Sequence, residues 1–213
     1  MESKGHYKAL EAYSKFPEEL EYFYWGDDDD ETEQRDMSWL GNDEQKIALF
    51  DSGVEALYEA AYADLKRLSI EVDGLINTKL GSTMSIERAH PKEKWMCRDL
   101  YWKVWRKRGR RPSSINFQFG LFFDIQEGEY CVSPWVYVRG GRSKEIDLKR
   151  ILGNGSRMGK DAGFSPGTVV LGNKSIVVAN IIKDHRKSAA LLAKSFVDVN
   201  SKTWGKVLDL AYG

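Results

Sequence analysis

Cysteine is scarce in this chain. Cys97 and Cys131 are the two present, too few and too far apart for a disulfide framework, and neither sits in a Cys-x-x-Cys pair. The three histidines, His6, His90 and His185, are scattered, so the spacing of a zinc site is absent. No apolar run approaches the roughly 18 residues of a membrane-spanning helix. The first residues, MESKGHYKALEAYSK, contain neither an apolar stretch nor a small-residue cleavage site, so a secretory leader is not expected. A cytoplasmic protein with no membrane partner and no cofactor is the expectation.

What is present suffices for a core. The chain has 213 residues, of which 42% are hydrophobic and 12% aromatic, which excludes global disorder. That length fits one large domain, or one domain with an appendage.

The balanced charge, 32 basic against 32 acidic side chains, hides a partition. Residues 1–90 carry 21 acidic and nine basic side chains, a net of −12; residues 91–213 carry 11 and 23, a net of +12. Two parts are therefore expected: an acidic, mainly helical 1–90 and a basic α+β 91–213, either separate or forming one continuous domain. The extremes are the acidic run Asp27, Asp28, Asp29, Asp30, Glu31 with Glu33, and the basic run Arg106, Lys107, Arg108, Arg110, Arg111. Crowded like charges repel, so neither run is expected to be buried unpaired. Three readings stay open: solvated surface, contact of the basic run with phosphates, or an acidic run that folds over the basic one or engages a basic protein groove.

Along the chain, Tyr7, Leu10, Tyr13 and Phe16 recur every three residues and predict a short helix, with a second starting at Pro17. The stripe Ile47, Phe50, Val54, Leu57, Tyr58, Ala61, Leu65, Leu68 predicts a helix over 43–68, capped by Asn42. Residues 69–90 read as short strands or loops with turns at Gly74 and Gly81. Ile115, Phe117, Phe119, Leu121 and Phe123 alternate with polar residues, the period of a half-buried strand. A turn at Gln126–Glu129 returns the chain as the antiparallel strand YCVSPWVYV, which Pro134 pushes towards a sheet edge or bulge. A helix over 143–152, a Gly-rich loop to Gly167, a second hairpin formed by TVVL and SIVVANII around 172–174, and helical structure from Asp184 complete an α+β chain. Its expected form is a helical N-terminal part on a mainly antiparallel sheet of two hairpins, closed by a C-terminal helix.

Residues 92–112, KEKWMCRDLYWKVWRKRGRRP, attract most attention. Read as a helix over 92–108, they place Cys97, Leu100, Tyr101 and Val104 on a core face. Trp95 and Trp102 stack on another face, with Lys103, Arg106, Lys107 and Arg108 beside them. Gly109 and Pro112 end the helix, and Arg110 and Arg111 extend the charge. Lys and Arg neutralise phosphates and indoles stack on unpaired bases. The plainer alternative is a helix wedged between two layers, with both Trp in the core and the cations complementing the helix dipole.

Catalytic signatures are weak. Gly153–Asp161 is Gly-rich, but Asp161 stands where a phosphate loop needs Ser or Thr. The acidic run lacks the central Gly and terminal Glu of a calcium loop. Asp184, His185 and Ser188 lack a nucleophile elbow, and Asp184 is better explained as an N-cap. Asp124, with Glu145 or Asp147, is the candidate carboxylate set of a metal-dependent nuclease or phosphodiesterase. The leading expectation is a non-enzymatic, charge-polarised binding or inhibitor protein that docks on nucleic acid or a nucleoprotein complex through Trp95, Trp102 and the basic run. The acidic segment would mask that surface or engage a basic partner.

Overall fold

The computed structural model describes residues 7–15, 44–89, 99–108, 111–126, 129–153, 156–158, 166–171 and 175–213. In chain order these form α1 (Lys8–Tyr13), α2 (Glu44–Leu80), β1 (Met84–Ala89), β2 (Asp99–Arg106), β3 (Phe117–Gln126), β4 (Glu129–Val138), α3 (Gly141–Leu152), β5 (Ser156–Met158), β6 (Thr168–Leu171), β7 (Ile176–Val177), α4 (Val178–Lys183), α5 (His185–Val197) and α6 (Ser201–Tyr212). The chain is α+β: helices packed on a mainly antiparallel sheet of order β1-β2-β3-β4-β6-β5, with β7 also paired to β4. No helix among the described residues is long and apolar enough to cross a membrane.

The long helix α2 carries the expected stripe and extends it. Val54, Tyr58, Ala61, Leu65, Leu68, Val72, Ile76 and Leu80 are all buried. Their three- and four-residue spacing continues unbroken past Leu68, so 69–80 is helix rather than strand or loop. Gly74 is tolerated mid-helix on the exposed side; the chain turns at Gly81, whose N–H donates to the Asn77 carbonyl at 3.0 Å.

Period two governs the sheet. Leu100, Trp102 and Val104 of β2 are buried, as are Phe117, Phe119, Leu121 and Phe123 of β3. Paired residues of antiparallel strands share a face. The pairs Trp102↔Phe119, Phe119↔Val136 and Phe123↔Val132 therefore put these rows on one side. Both C-terminal helices lie there. Phe196 of α5 meets Trp102 and Phe119 at ring-centroid distances of 6.4 and 4.9 Å, and Trp204 of α6 meets Phe119 at 4.9 Å. Buried residues of α1 to α6 join this one core. Each fully buried aromatic contributes about 1.5–3 kcal/mol, so this face dominates folding.

Several expectations are corrected. Residues 99–106, expected in a helix, form β2; β-branched and aromatic side chains in alternation favour the pleated sheet. Pro134 lies in an interior strand. The far side of β4 is shared by β6, at Trp135–Tyr137, and β7, at Cys131–Val132, and Pro134 falls between those two stretches. TVVL and SIVVANII do not pair with each other. β6 lies between β4 and β5, β7 pairs with β4, and residues 178–183 turn helical. The chain is helical from His185 as expected, in two segments, α5 and α6, tied by the Trp204 indole N–H donating to the Phe196 carbonyl at 3.0 Å. β1, from the acidic part, pairs with β2, from the basic part. The expected second N-terminal helix, the Asn42 cap and residues 172–174 lie outside the described residues.

Candidate nucleic-acid interface

The second face of the sheet is built by the residues that alternate with the core rows. Glu87↔Lys103↔Gln118↔Tyr137↔Thr168 form one row across β1, β2, β3, β4 and β6. Tyr101↔Gly120↔Trp135↔Val170 form the next, and Trp105 pairs with Ser85 beyond them. None of these side chains joins the helix-covered core. Trp135 and Val170 are buried, whereas Tyr101, Lys103, Trp105, Gln118, Phe122 and Tyr137 are half-buried. Gly120 is required here, because a Cβ would overlap the Trp135 indole.

β2 runs from this face into the basic run. Arg106 and Arg108 are exposed. Arg106 pairs with Asp209 of α6 across side chains that are 51% and 68% exposed. Lys107 donates from Nζ to the Gly81 carbonyl and from its backbone N–H to the Thr83 carbonyl at 3.3 Å, which ties the end of β2 to the α2–β1 turn. Arg111 donates to the Glu87 carboxylate at 2.8 Å, and its guanidinium carbon lies 5.5 Å from the centroid of the Trp105 ring. Glu87 also faces Lys103 across the ladder. Five cations and a half-buried indole thus gather at one end of β2, with two carboxylates among them.

The expected site residues separate under this geometry. Lys103 and Arg111 share the outer face with Glu87 and Trp105, Lys107 and Arg108 follow at the end of β2, and Arg106 stands at that same end on the α6 side. Trp102 does not belong with them: it is fully buried against Phe196 and cannot stack on a ligand. The helical reading had rotated Trp102 outwards and Tyr101 inwards; strand periodicity reverses both. Trp105, Glu87 and Asp209 were missed. The alternation Tyr101–Lys103–Trp105 was the available signal for Trp105, while Glu87 and Asp209 arrive by tertiary pairing that no local pattern encodes. Trp95, Cys97, Arg110 and the acidic residues Asp27, Asp28, Asp29, Asp30, Glu31 and Glu33 lie outside the described residues.

The alternative catalytic set is not assembled. Asp124 stands opposite Cys131 on the β3–β4 ladder. Glu145 is fully buried and accepts from the Gly167 N–H at 3.3 Å, and Gly167 in turn accepts from the Val138 N–H. Val138 and Cys131 are seven residues apart on β4, so Asp124 and Glu145 lie about 23 Å apart along the strand, far beyond a shared ion. Arg142 pairs with Glu145 at 3.2 Å, and Arg150 with Asp147 at 3.0 Å. Among the described residues no group of three or more His, Cys, Asp or Glu side chains is placed to hold a metal ion. Asp184 accepts from the Lys187 N–H at 3.0 Å as the N-cap of α5, Ser188 donates to the Asn180 carbonyl, and His185 packs on Tyr7. A depression of about 400 Å³ between α3 and β5, lined by Ile146, Lys149, Arg150, Gly153 and Met158, is open to solvent and gathers no acid–base pair. No protein-family model, no curated protein and no solved structure matches the chain.

Proposed function

We propose that this chain is a non-enzymatic binding protein that docks on nucleic acid, free or within a nucleoprotein complex, through the basic end of β2. The observation that carries this reading is that Lys103 and Arg111 flank Trp105 on the sheet face outside the helix-covered core, with Lys107 and Arg108 just past the end of β2 and Arg106 at the same strand end on the α6 side. Solvated cations at the end of a strand neutralise phosphates and release counterions. Arg110 continues the run in sequence, and the acidic residues 27–33 are assigned the role of a competitor for it. The test is fluorescence anisotropy with labelled single- and double-stranded DNA and RNA across a salt series. Arg106/Lys107/Arg108→Ala is expected to weaken binding and to reduce the slope of log affinity against log salt by about one to two. Binding that ignores salt, or that the triple variant leaves unchanged, refutes the reading. Replacing Asp27, Asp28, Asp29, Asp30, Glu31 and Glu33 by Asn or Gln in the full chain is expected to raise affinity; an unchanged affinity removes the competitor role alone.

A further inference from the structure

We infer that the ligand of this surface is single-stranded nucleic acid, one unpaired base of which stacks on Trp105 in the place that the Arg111 guanidinium occupies. The inference rests on the reading above and adds to it a ligand class and a gate.

Its basis is the arrangement around one ring. Trp105 stands on the sheet face outside the core, and its ring is met by a planar, delocalised cation, Arg111, 5.5 Å from the centroid. That geometry is the one in which an aromatic face takes a flat π-system, and guanidinium and nucleobase are interchangeable occupants of it. Arg111 is held by Glu87 through a single exposed contact of 2.8 Å, with side chains 54% and 43% exposed. Such a pair contributes little in water, so a phosphate can replace the Glu87 carboxylate at small cost. Glu87 thus holds the guanidinium in the place where a base would stack. When Arg111 swings to the backbone of a bound strand, the Trp105 face opens.

The surroundings suit a strand with splayed bases better than a duplex. Lys103 is next on the same row of β2, and Tyr101 follows at the two-residue spacing that sets side chains about 6.6–6.8 Å apart. Arg106, Lys107 and Arg108 continue at the end of the strand. Aromatics interleaved with cations on a sheet face serve unpaired bases, which offer a π-face to the ring. A paired base offers only its edge and leaves the ring unused. A duplex that binds here would use the cations alone.

The experiment uses the full chain, a labelled oligo-dT strand and a labelled duplex of the same length, with thermal melting of each variant as a control for folding. The wild type is expected to prefer the single strand. Trp105→Ala is expected to weaken single-strand binding about five- to 150-fold, the range one stacked base supplies, and to change duplex binding by less than about twofold. Trp105→Phe keeps a ring and is expected to retain most of the affinity. Glu87→Gln releases Arg111 and is expected to tighten single-strand binding more than duplex binding, with a salt slope larger by about 0.7. Equal losses for strand and duplex in Trp105→Ala, or no gain from Glu87→Gln, overturn the inference. If both variants are silent while Arg106/Lys107/Arg108→Ala weakens binding, the stacking gate falls and the phosphate surface stands. If the triple variant is silent as well, both fall.

Discussion

Asp64 holds α1 onto the body of the protein, and its removal makes a sharp test of the packing. Tyr7, the residue before α1, sits at φ 71° in the left-handed region and supplies no side-chain cap. Asp64, buried on α2, supplies the cap from 54 to 55 residues away, its Oδ2 accepting from the N–H groups of Ala9 and Leu10 at 3.1 Å each. Its Oδ1 accepts from Arg67 at 2.8 Å. Asp64→Ala leaves the Leu10 N–H buried without its acceptor. Losing a cap costs about 0.5–2 kcal/mol and orphaning a buried donor about 1–3 kcal/mol, and these overlap, so about 2–3 kcal/mol is expected. For a chain of this size that lowers Tm by roughly 5–10 °C. Asp64→Asn keeps one acceptor oxygen and is expected to lose less. Thermal melting reports the global effect, and hydrogen exchange at Ala9 and Leu10 reports whether α1 frays first. A Tm change below about 1 °C with unchanged exchange at both amides would show that α1 is held by its apolar contacts alone, and would refute the capping argument.

Other perturbations follow from single contacts. Gly120→Ala forces a Cβ into the Trp135 indole and is expected to cost about 1–3 kcal/mol by denaturant unfolding; adding Trp135→Leu should recover part of that loss, and a purely additive pair would contradict the overlap. Gly74 in α2 and Gly205 in α6 have open space where a Cβ would stand, so Ala at either is expected to stabilise by about 0.5–1 kcal/mol, read as a rise in Tm. The Tyr7 hydroxyl is pushed up to about 12, first by burial and then by the nearby Glu71 and Asp64 carboxylates. Between pH 10 and pH 12 the unfolded chain releases that proton while the folded chain keeps it, so stability present below pH 10 is lost as pH rises through that window. Tyr7→Phe should flatten that part of the alkaline unfolding curve, and an identical slope in the variant would refute the assignment.

The elements legible in the sequence are those where one period stands alone. Phe117 to Phe123 alternate over a stretch that has no competing helical register, and the strand lies where it was expected. The Asp184 cap and the first part of α2 were equally plain. β2 was lost because DLYWKVWR satisfies two templates. Leu100, Tyr101 and Val104 are three and four apart, as on a helix, while Leu100, Trp102 and Val104 alternate, as on a strand. The arbiter is tertiary: Trp102 pairs across the sheet with Phe119 and packs on Phe196, contacts made by residues far along the chain. The end of α2 failed for the opposite reason. Gly74 and the β-branched Ile70, Val72 and Ile76 argue locally against a helix, yet Val72, Ile76 and Leu80 bury one face, and burial outweighs propensity. Of the candidate site, the cations were legible by composition. Their indole was not, because its identity depends on which residues of β2 face outwards.

Among the described residues, acidic side chains from the first part of the chain stand beside cations from the second, and this sets how the basic end should respond to salt. β1 belongs to the acidic part, yet it is the neighbour of β2, so Glu87 reaches Arg111 and faces Lys103. Asp209 closes on Arg106 from α6. Two of the five cations therefore already have a carboxylate in place of a condensed counterion. A phosphate that binds Arg106 or Arg111 displaces that carboxylate, and the exchange releases little salt. Lys103, Lys107 and Arg108 release counterions in the ordinary way. With about 0.7 ions released per phosphate on a single strand, five free cations would give a slope near 3.5 and three would give a slope near 2. The wild type is expected at the lower value, and Glu87→Gln with Asp209→Asn should move it to the higher one. A wild-type slope near 3.5, unchanged by that double substitution, would mean that the ion pairs are open in solution and that neither carboxylate competes with the ligand.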